Sequence, residues 1–108
     1  MKVALRTSTE TLINELNGFK DSCLFLKHIN KRKTPNYRWS AGELKHQVEY
    51  MSNELYKHTG RNCYVMTDVF INAAIHMGFK CFKRNDRIYF NISEKSMNKK
   101  LKSENLNG

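Results

Sequence analysis

The sequence predicts a single α+β domain, in which three or four helices pack on a C-terminal β-hairpin. Three observations support this fold class. A helix-capping motif precedes a regular stripe of apolar residues in the middle of the chain, and a second, almost wholly apolar helix follows it. The next segment alternates apolar with basic or aromatic residues around Asn85 and Asp86, the pattern of two antiparallel strands joined by a tight turn. With 108 residues and 40% hydrophobic content, the chain has room for one modest core.

The N-terminal part predicts one helix and then a short element of ambiguous type. Thr7 and Glu10 have capping-box spacing, so we expect a first helix over residues 7–17 that Gly18 closes. Residues 22–30 fit either a short helix or a buried strand, and a capping residue at their start favours the helix. The buried stripe of the first helix is expected to be Leu12, Ile13, Leu16 and Phe19.

A basic loop and a well-defined helix are expected next. Residues 31–38 contain the only proline and read as the loop. Ser40 and Glu43 form a capping box, which predicts a helix that begins there and that Gly60 stops. The apolar residues of this helix recur at spacings of four, three and four: Leu44, Val48, Met51 and Leu55.

The C-terminal part predicts a core helix and the hairpin. Thr67 or Asp68 is expected to cap a helix that runs to Met77 and ends at Gly78. The predicted cross-strand pairs are Phe79/Ile92, Cys81/Phe90 and Lys83/Ile88 on the core side, and Lys80/Asn91, Phe82/Tyr89 and Arg84/Arg87 on the opposite side. This order of helices and hairpin is that of winged-helix domains, so we expect a small winged-helix-like domain over residues 1–93 and a basic flexible tail over residues 94–108.

One buried cluster is expected to join these elements. Its predicted members are Trp39, Leu44, Val48, Met51, Leu55, Phe70, Ala74, Ile75, Phe79, Phe90 and Ile92.

The net charge of +9 indicates a polyanionic partner. Nucleic acid is the first expectation, ahead of an anionic membrane surface or an acidic protein. The positive charge is concentrated in residues 31–38, in the hairpin and in the tail. The chain has three cysteines, no signal peptide and no apolar run of membrane-spanning length, so we expect a reduced, cytoplasmic protein without membrane contact.

Catalytic and metal-binding motifs are lacking in the sequence. There is no CxxC or HxxxH pair, no P-loop and no GxGxxG, and the acidic residues are not spaced for a two-carboxylate metal site. We therefore expect no enzyme activity, no metal and no cofactor. Cys23 and Cys81 lie in apolar patterns and are expected to be buried free thiols.

Two stretches carry a resemblance to known proteins: AAIHMGFK at residues 73–80 and YFNIS at residues 89–93. Residues 67–93, about a quarter of the chain, resemble the end of certain small tailed-phage proteins of unknown function. The resemblance implies phage origin and residence in a bacterial host cell. Small basic phage proteins include regulators and antagonists of host machinery, among them anti-restriction and anti-CRISPR factors.

The hairpin and the basic segment together suggest how a partner is bound. Arg84 and Arg87 face each other across the predicted hairpin, and an anion there would relieve their repulsion. The predicted helix over residues 68–77 offers few polar donors, so contacts to the phosphate backbone (DNA or RNA) are favoured over base reading. The expected function is a non-enzymatic nucleic-acid-binding phage regulator. The alternative is a protein inhibitor of a host or defence nucleoprotein complex that docks through its basic surface. In either case the candidate binding residues are Lys31, Arg32, Lys33, Arg38, Lys80, Phe82, Lys83, Arg84, Arg87 and Tyr89.

Overall fold

A computed structural model of the chain describes residues 9–93 and 95, which form three helices and one three-stranded antiparallel sheet. The predicted α+β class is confirmed. The capping residue predicted at Thr7 and, apart from residue 95, the predicted tail lie outside the described residues. The elements in chain order are α1 (Thr9–Lys27), β1 (Lys31–Ser40), α2 (Ala41–Tyr56), α3 (Thr67–His76), β2 (Cys81–Arg84) and β3 (Arg87–Ile92).

The β2–β3 hairpin has the predicted turn and register. Asn85 and Asp86 both have positive φ, 52° and 64°, which is the conformation of a two-residue type I′ turn. The observed pairs are Cys81/Phe90, Phe82/Tyr89, Lys83/Ile88 and Arg84/Arg87, all as predicted. The other two predicted pairs, Phe79/Ile92 and Lys80/Asn91, are not formed as strand pairs, because β2 begins only at Cys81. There the backbone N–H of Lys80 donates instead to the Asn91 side chain at 2.7 Å.

The basic loop predicted over residues 31–38 is wrong, because this segment is a strand. β1 pairs antiparallel with β3, so β3 is the central strand and β1 an edge strand. The register shifts twice along β1, between Lys31 and Asn36 and between Asn36 and Ser40. Pro35 falls within the first shifted stretch, where its missing N–H is tolerated. Such an irregular edge strand lacks the strict alternation that identifies strands in a sequence.

Two buried asparagines join β1 to β3. The Asn36 side-chain amide donates to the Ile92 carbonyl at 3.1 Å. The Asn91 amide donates to the Arg32 carbonyl at 2.8 Å. These bonds satisfy polar groups that would otherwise be buried without partners, and they stand in for ladder hydrogen bonds where the register shifts.

The predicted end of helix α1 at Gly18 is wrong, because the helix continues to Lys27. A Cβ added at Gly18 would lie 3.5 Å from Val69 Cγ1 and 3.8 Å from Val65 Cα. These are ordinary van der Waals distances, so Gly18 lies where α1 packs against α3 and the segment before it. It marks a contact between elements and not a helix end. The helical interpretation of residues 22–30 is confirmed for residues 22–27, but these continue α1 and do not form a separate, capped helix.

The longer α1 buries a different face from the predicted one. Its second half turns Ser22, Phe25 and Leu26 into the core. The predicted stripe consequently faces outward, and three of its four members are about half exposed: Leu12 (54%), Ile13 (52%) and Leu16 (53%). Phe19, the fourth member, is partly buried and its ring lies 5.5 Å from that of His76.

The capping box of α2 is confirmed. Ser40 Oγ accepts from the Glu43 backbone N–H at 3.4 Å, and Glu43 Oε1 accepts from the Ser40 N–H at 2.8 Å. The helix ends at Tyr56, one turn before the predicted stop at Gly60, so Leu55 projects beyond the core and is 56% exposed. Its predicted burial is wrong.

Helix α3 begins without a side-chain cap. Its N-cap residue is Met66, so the predicted capping by Thr67 or Asp68 is wrong. Phe70, Ala73 and Ala74 face the core, whereas Ile75 lies on the outer side and is 53% exposed, contrary to its predicted burial. In a ten-residue helix that is apolar nearly all round, hydrophobicity alone does not identify the inner face.

The core lies between the three helices and one face of the sheet. Of the eleven residues predicted to form it, Leu55 and Ile75 are exposed, so their predicted burial is wrong. Trp39 packs against the cluster but is only partly buried. The cluster comprises Phe25, Leu26, Ile29, Ala41, Leu44, Val48, Met51, Val65, Phe70, Ala74, Phe79, Phe90 and Ile92.

A buried carboxylate connects α1 to α2 and to the segment that follows α2. Asp21 is 4% exposed and accepts from Ser52 Oγ at 2.8 Å. Arg61 Nη2 donates to both oxygens of Asp21, at 3.3 and 3.2 Å, and its guanidinium lies 3.9 Å from the Tyr56 ring centroid. Because each charge has a partner, this group fixes the relative placement of the helices.

Candidate nucleic-acid interface

The sheet concentrates positive charge. Its twenty strand residues include no Asp or Glu, and seven of them are Lys or Arg. All ten candidate binding residues lie on these strands or, for Lys80, immediately before β2. The acidic residues of the described part of the chain belong to the helices and to the hairpin turn. The seven strand cations are Lys31, Arg32, Lys33, Arg38, Lys83, Arg84 and Arg87.

The sheet face turned away from the core carries an aromatic–arginine cluster, which we define as Tyr37, Phe82, Arg84, Arg87 and Tyr89. Phe82 pairs with Tyr89 and Arg84 with Arg87, so these four share one face of the hairpin. Tyr37 joins them from β1, and its ring meets that of Tyr89 at 5.2 Å and 75°. Each of the three strands therefore contributes an aromatic residue or an arginine to the same face.

The Arg84/Arg87 pair is already partly accommodated in the free protein. The Arg84 guanidinium carbon lies 4.3 Å from the Tyr37 ring centroid. A cation–π contact at an exposed site contributes about 0.5–1 kcal/mol, close to the cost of up to ~1 kcal/mol for like charges directly across a strand pair. Repulsion between the two arginines therefore gives less reason to expect an anion than the sequence suggested. Arg87 is exposed and makes no ion pair with any described residue.

Arg32 and Lys31 of β1 both contact other groups of the protein. Arg32 Nε donates to the Thr34 carbonyl at 3.0 Å, and Arg32 Nη2 donates to the Pro35 carbonyl at 2.7 Å. Lys31 Nζ lies 4.7 Å from the Phe79 ring centroid, at the edge of the core side. Lys33 and Arg38 are also exposed. The β1 cations lie along an edge strand of the sheet.

Lys83 lies on the opposite side of the hairpin from the cluster. It pairs with Ile88 on the face that also carries Phe90, and it is exposed because β2 is an edge strand. The same edge position exposes Cys81, whose predicted burial is wrong. The candidate binding residues are thus brought to one sheet but occupy two faces and an edge.

The thiols show no sign of activation. Cys63 is buried and Cys23 is intermediate in exposure, so the predicted burial of Cys23 is only partly met. Partial desolvation raises the pKa of both Cys23 and Cys81, which disfavours the thiolate. Among residues 9–93 and 95, no three His, Cys, Asp or Glu side chains cluster in a way that suits a metal ion.

A shallow groove of about 430 Å³ lies between the hairpin turn and the first turn of α2. Arg87 lines it, but so do Glu43 and Asp86. Lys45 also borders it, with its ammonium 3.5 Å from Glu49 and 4.4 Å from the Tyr64 ring centroid. The mixture of charges makes this groove a poor phosphate site.

Glu49 has a pKa below its ordinary value. Partial burial raises it, but the hydrogen bond that Glu49 accepts from the Val65 N–H at 2.8 Å and its contacts with His46 and Lys45 more than offset that effect. This carboxylate binds the segment after α2 to the helix and has a structural role.

Tyr37 is the member of the cluster that the sequence does not predict, because the sequence predicts a loop over residues 31–38. The β-forming residues Thr34, Tyr37 and Trp39 within one ten-residue run are the signal that would have indicated a strand.

No protein-family model, curated protein or solved structure matches this chain. Within the described residues, no helix is both long and apolar enough to cross a membrane.

Proposed function

We propose that this protein binds nucleic acid through its phosphate backbone and catalyses no reaction. The observation that carries the proposal is the charge of the sheet: seven Lys or Arg and no acid among its strand residues. A nucleic-acid strand presents a regular row of phosphates, and each phosphate neutralised by a cation releases condensed counterions, which favours binding. None of the strand residues is a carboxylate that would repel a phosphate.

We further propose that the domain is winged-helix-like, with the β2–β3 hairpin as the wing. Support comes from the element order α1-β1-α2-α3-β2-β3 and from the strand order β1-β3-β2, in which the C-terminal hairpin is completed by the strand between the first two helices. In this arrangement the cations of the hairpin stand at one end of the sheet, where a wing would meet a phosphate backbone.

Base-specific reading by α3 has little support. The exposed residues of this helix include Asp68, Asn72, Ile75 and His76, and the helix has no Lys or Arg. A helix that enters a major groove needs donors for base edges and tolerates no acid facing phosphates. We therefore propose that the protein binds nucleic acid through backbone contacts and largely independently of base sequence.

The resemblance of residues 67–93 to small tailed-phage proteins supports a phage-encoded regulator acting in the bacterial host. A backbone-directed binder of this size would act by occupying nucleic acid or by recruiting other components to it.

The alternative, an inhibitor that binds a host or defence complex, is favoured by one specific observation. Leu12, Ile13 and Leu16 form a half-exposed apolar stripe on α1. Such stripes are typical of protein–protein contacts. The basic sheet would then dock on an acidic protein surface or occupy a nucleic-acid channel in place of its natural occupant.

The proposal is tested by fluorescence anisotropy with random-sequence duplex DNA, single-stranded DNA and single-stranded RNA at 50 and 200 mM salt. If four sheet cations contact duplex phosphates, the slope of log K against log salt is about −3.6, and affinity falls about 150-fold across that range. Absence of salt-dependent binding to all three nucleic acids would refute nucleic-acid binding and leave the inhibitor as the working hypothesis.

A further inference from the structure

We infer that the aromatic–arginine cluster is a stacking platform for the bases of single-stranded nucleic acid. The inference rests on the proposed function and narrows its ligand from nucleic acid in general to a strand with unpaired bases. Arg84, held over the ring of Tyr37, is the centre of this platform.

The geometry that carries the inference spans all three strands. The Arg84 guanidinium lies over the Tyr37 ring at 4.3 Å, and the Tyr37 ring meets Tyr89 edge-on at 5.2 Å. Tyr37 is 44% exposed and Arg84 is exposed. The guanidinium therefore has a ring on one side and, because Arg84 is exposed, remains accessible to a ligand. Unpaired bases stack on such guanidinium planes and on aromatic rings.

Contact with Tyr37 also prepares Arg84 for binding. A long exposed arginine ordinarily loses rotamer freedom when a ligand fixes it. Here the side chain already has a partner on β1, so part of that loss has occurred before a base arrives. A lysine in its place would retain the charge but would present no plane.

Charge complementarity identifies the occupant as a nucleic-acid strand and not an apolar peptide. Arg87 extends the face at the hairpin tip, and the strands bear no acid. Phe82 lies across from Tyr89 and offers a second ring near the first. Rings beside cations suit a ligand that alternates bases with phosphates, whereas a duplex keeps its bases stacked inside and offers only phosphates.

Two substitutions separate stacking from charge. Arg84→Lys preserves the charge and removes the plane, and Tyr37→Leu removes the ring that positions Arg84. Tyr50→Leu is the matched control, because Tyr50 is similarly exposed, at 51%, but lies on α2. Binding of an oligothymidine strand and of a random duplex is measured by anisotropy at one low salt concentration, with circular dichroism to verify folding.

Arg84→Lys and Tyr37→Leu should each weaken oligothymidine binding by about 5- to 150-fold, the effect of losing one stacked base. Duplex affinity should change less than about twofold in both variants, since their charge is that of the parent. Tyr50→Leu should bind both ligands as the parent does.

The inference is overturned if folded Arg84→Lys binds oligothymidine as tightly as the parent, or if it loses single-strand and duplex affinity equally. In either case the parent's salt-dependent binding still supports the proposed function. If the parent binds neither ligand, the proposed function fails and this inference fails with it.

Discussion

Replacing Phe90 with alanine should remove the largest single contribution of the sheet to the core. Phe90 is fully buried on the central strand β3, and its ring meets that of Phe70 edge-to-face at 5.9 Å and 75°. Phe→Ala changes at such sites cost about 3–5 kcal/mol, because apolar burial is lost and the cavity collapses only partly. In a domain whose total stability is on the order of 5–15 kcal/mol, that is a large fraction.

Leu55→Ala is the matched control, since Leu55 belongs to the same predicted core but is 56% exposed at the end of α2. Its substitution should change stability by less than about 0.5 kcal/mol. Urea unfolding followed by far-ultraviolet circular dichroism measures both. With a slope of about 1.5 kcal/mol per molar urea, the Phe90→Ala midpoint should fall by about 2–3 M and that of Leu55→Ala should scarcely move. A Phe90→Ala loss under ~1 kcal/mol, or equal losses in the two variants, would refute this placement of the core.

Three further predictions concern the polar and thiol groups. Asp21→Ala should cost about 3 kcal/mol in urea unfolding, because it leaves Arg61 without its buried partner; a loss below ~1 kcal/mol would contradict that role. The folded pKa of Glu49 lies below its ordinary 4.5, so the stabilisation from its carboxylate is present above about pH 4.5 and is lost as pH falls through the folded pKa. Glu49→Gln should therefore be destabilised at pH 7, and its deficit relative to the parent should shrink as the pH is lowered below about 4.5. A destabilisation independent of pH would argue against it. Cys81 should react with Ellman's reagent more slowly than free cysteine at pH 8, and Cys63 should react only on unfolding. A chelator should leave Tm unchanged, and a stoichiometric metal in the purified protein would contradict the expected absence of a metal site.

The local motifs were readable from the sequence because their chemistry is local. The capping box needs only Ser40 and Glu43 three residues apart, and the turn needs only two residues, Asn85 and Asp86, that tolerate positive φ. Register then follows from the turn, which is why four cross-strand pairs were predicted correctly.

The errors arose where a distant partner decides the structure. Gly18 has the appearance of a helix stop, but the helix continues because α3 packs against it at that point. Because α1 continues past Gly18, the apolar residues of its second half determine which face is buried. The apolar stripe of its first half therefore faces outward. β1 is a strand because β3 is beside it and buried asparagine amides bridge the register shifts. The β-forming residues Thr34, Tyr37 and Trp39 indicate a strand, but nothing local specifies its partner strand or its irregular register.

The candidate site was predicted in its hairpin half only. Phe82, Arg84, Arg87 and Tyr89 follow from the alternation of the hairpin, whereas Tyr37 depends on the existence of β1. Tyr37 contacts Arg84 and so helps to explain why two arginines can face each other in the free protein. A prediction that lacks β1 also lacks this contact.

The central claim, that the outer sheet face binds nucleic acid, is tested most directly by charge reversal at two matched places. Arg84→Glu/Arg87→Glu alters the aromatic–arginine cluster, and Lys20→Glu/Lys27→Glu alters exposed positions on α1. Each pair lowers the formal charge of +9 by the same four units. Anisotropy is measured across a salt series with duplex and single-stranded DNA. The sheet variant should lose more than tenfold in affinity at low salt, with a duplex slope shallower by about 1.8, while the α1 variant stays within about threefold of the parent. A folded sheet variant that binds as tightly as the parent, or an α1 variant that loses as much as the sheet variant, would contradict the claim.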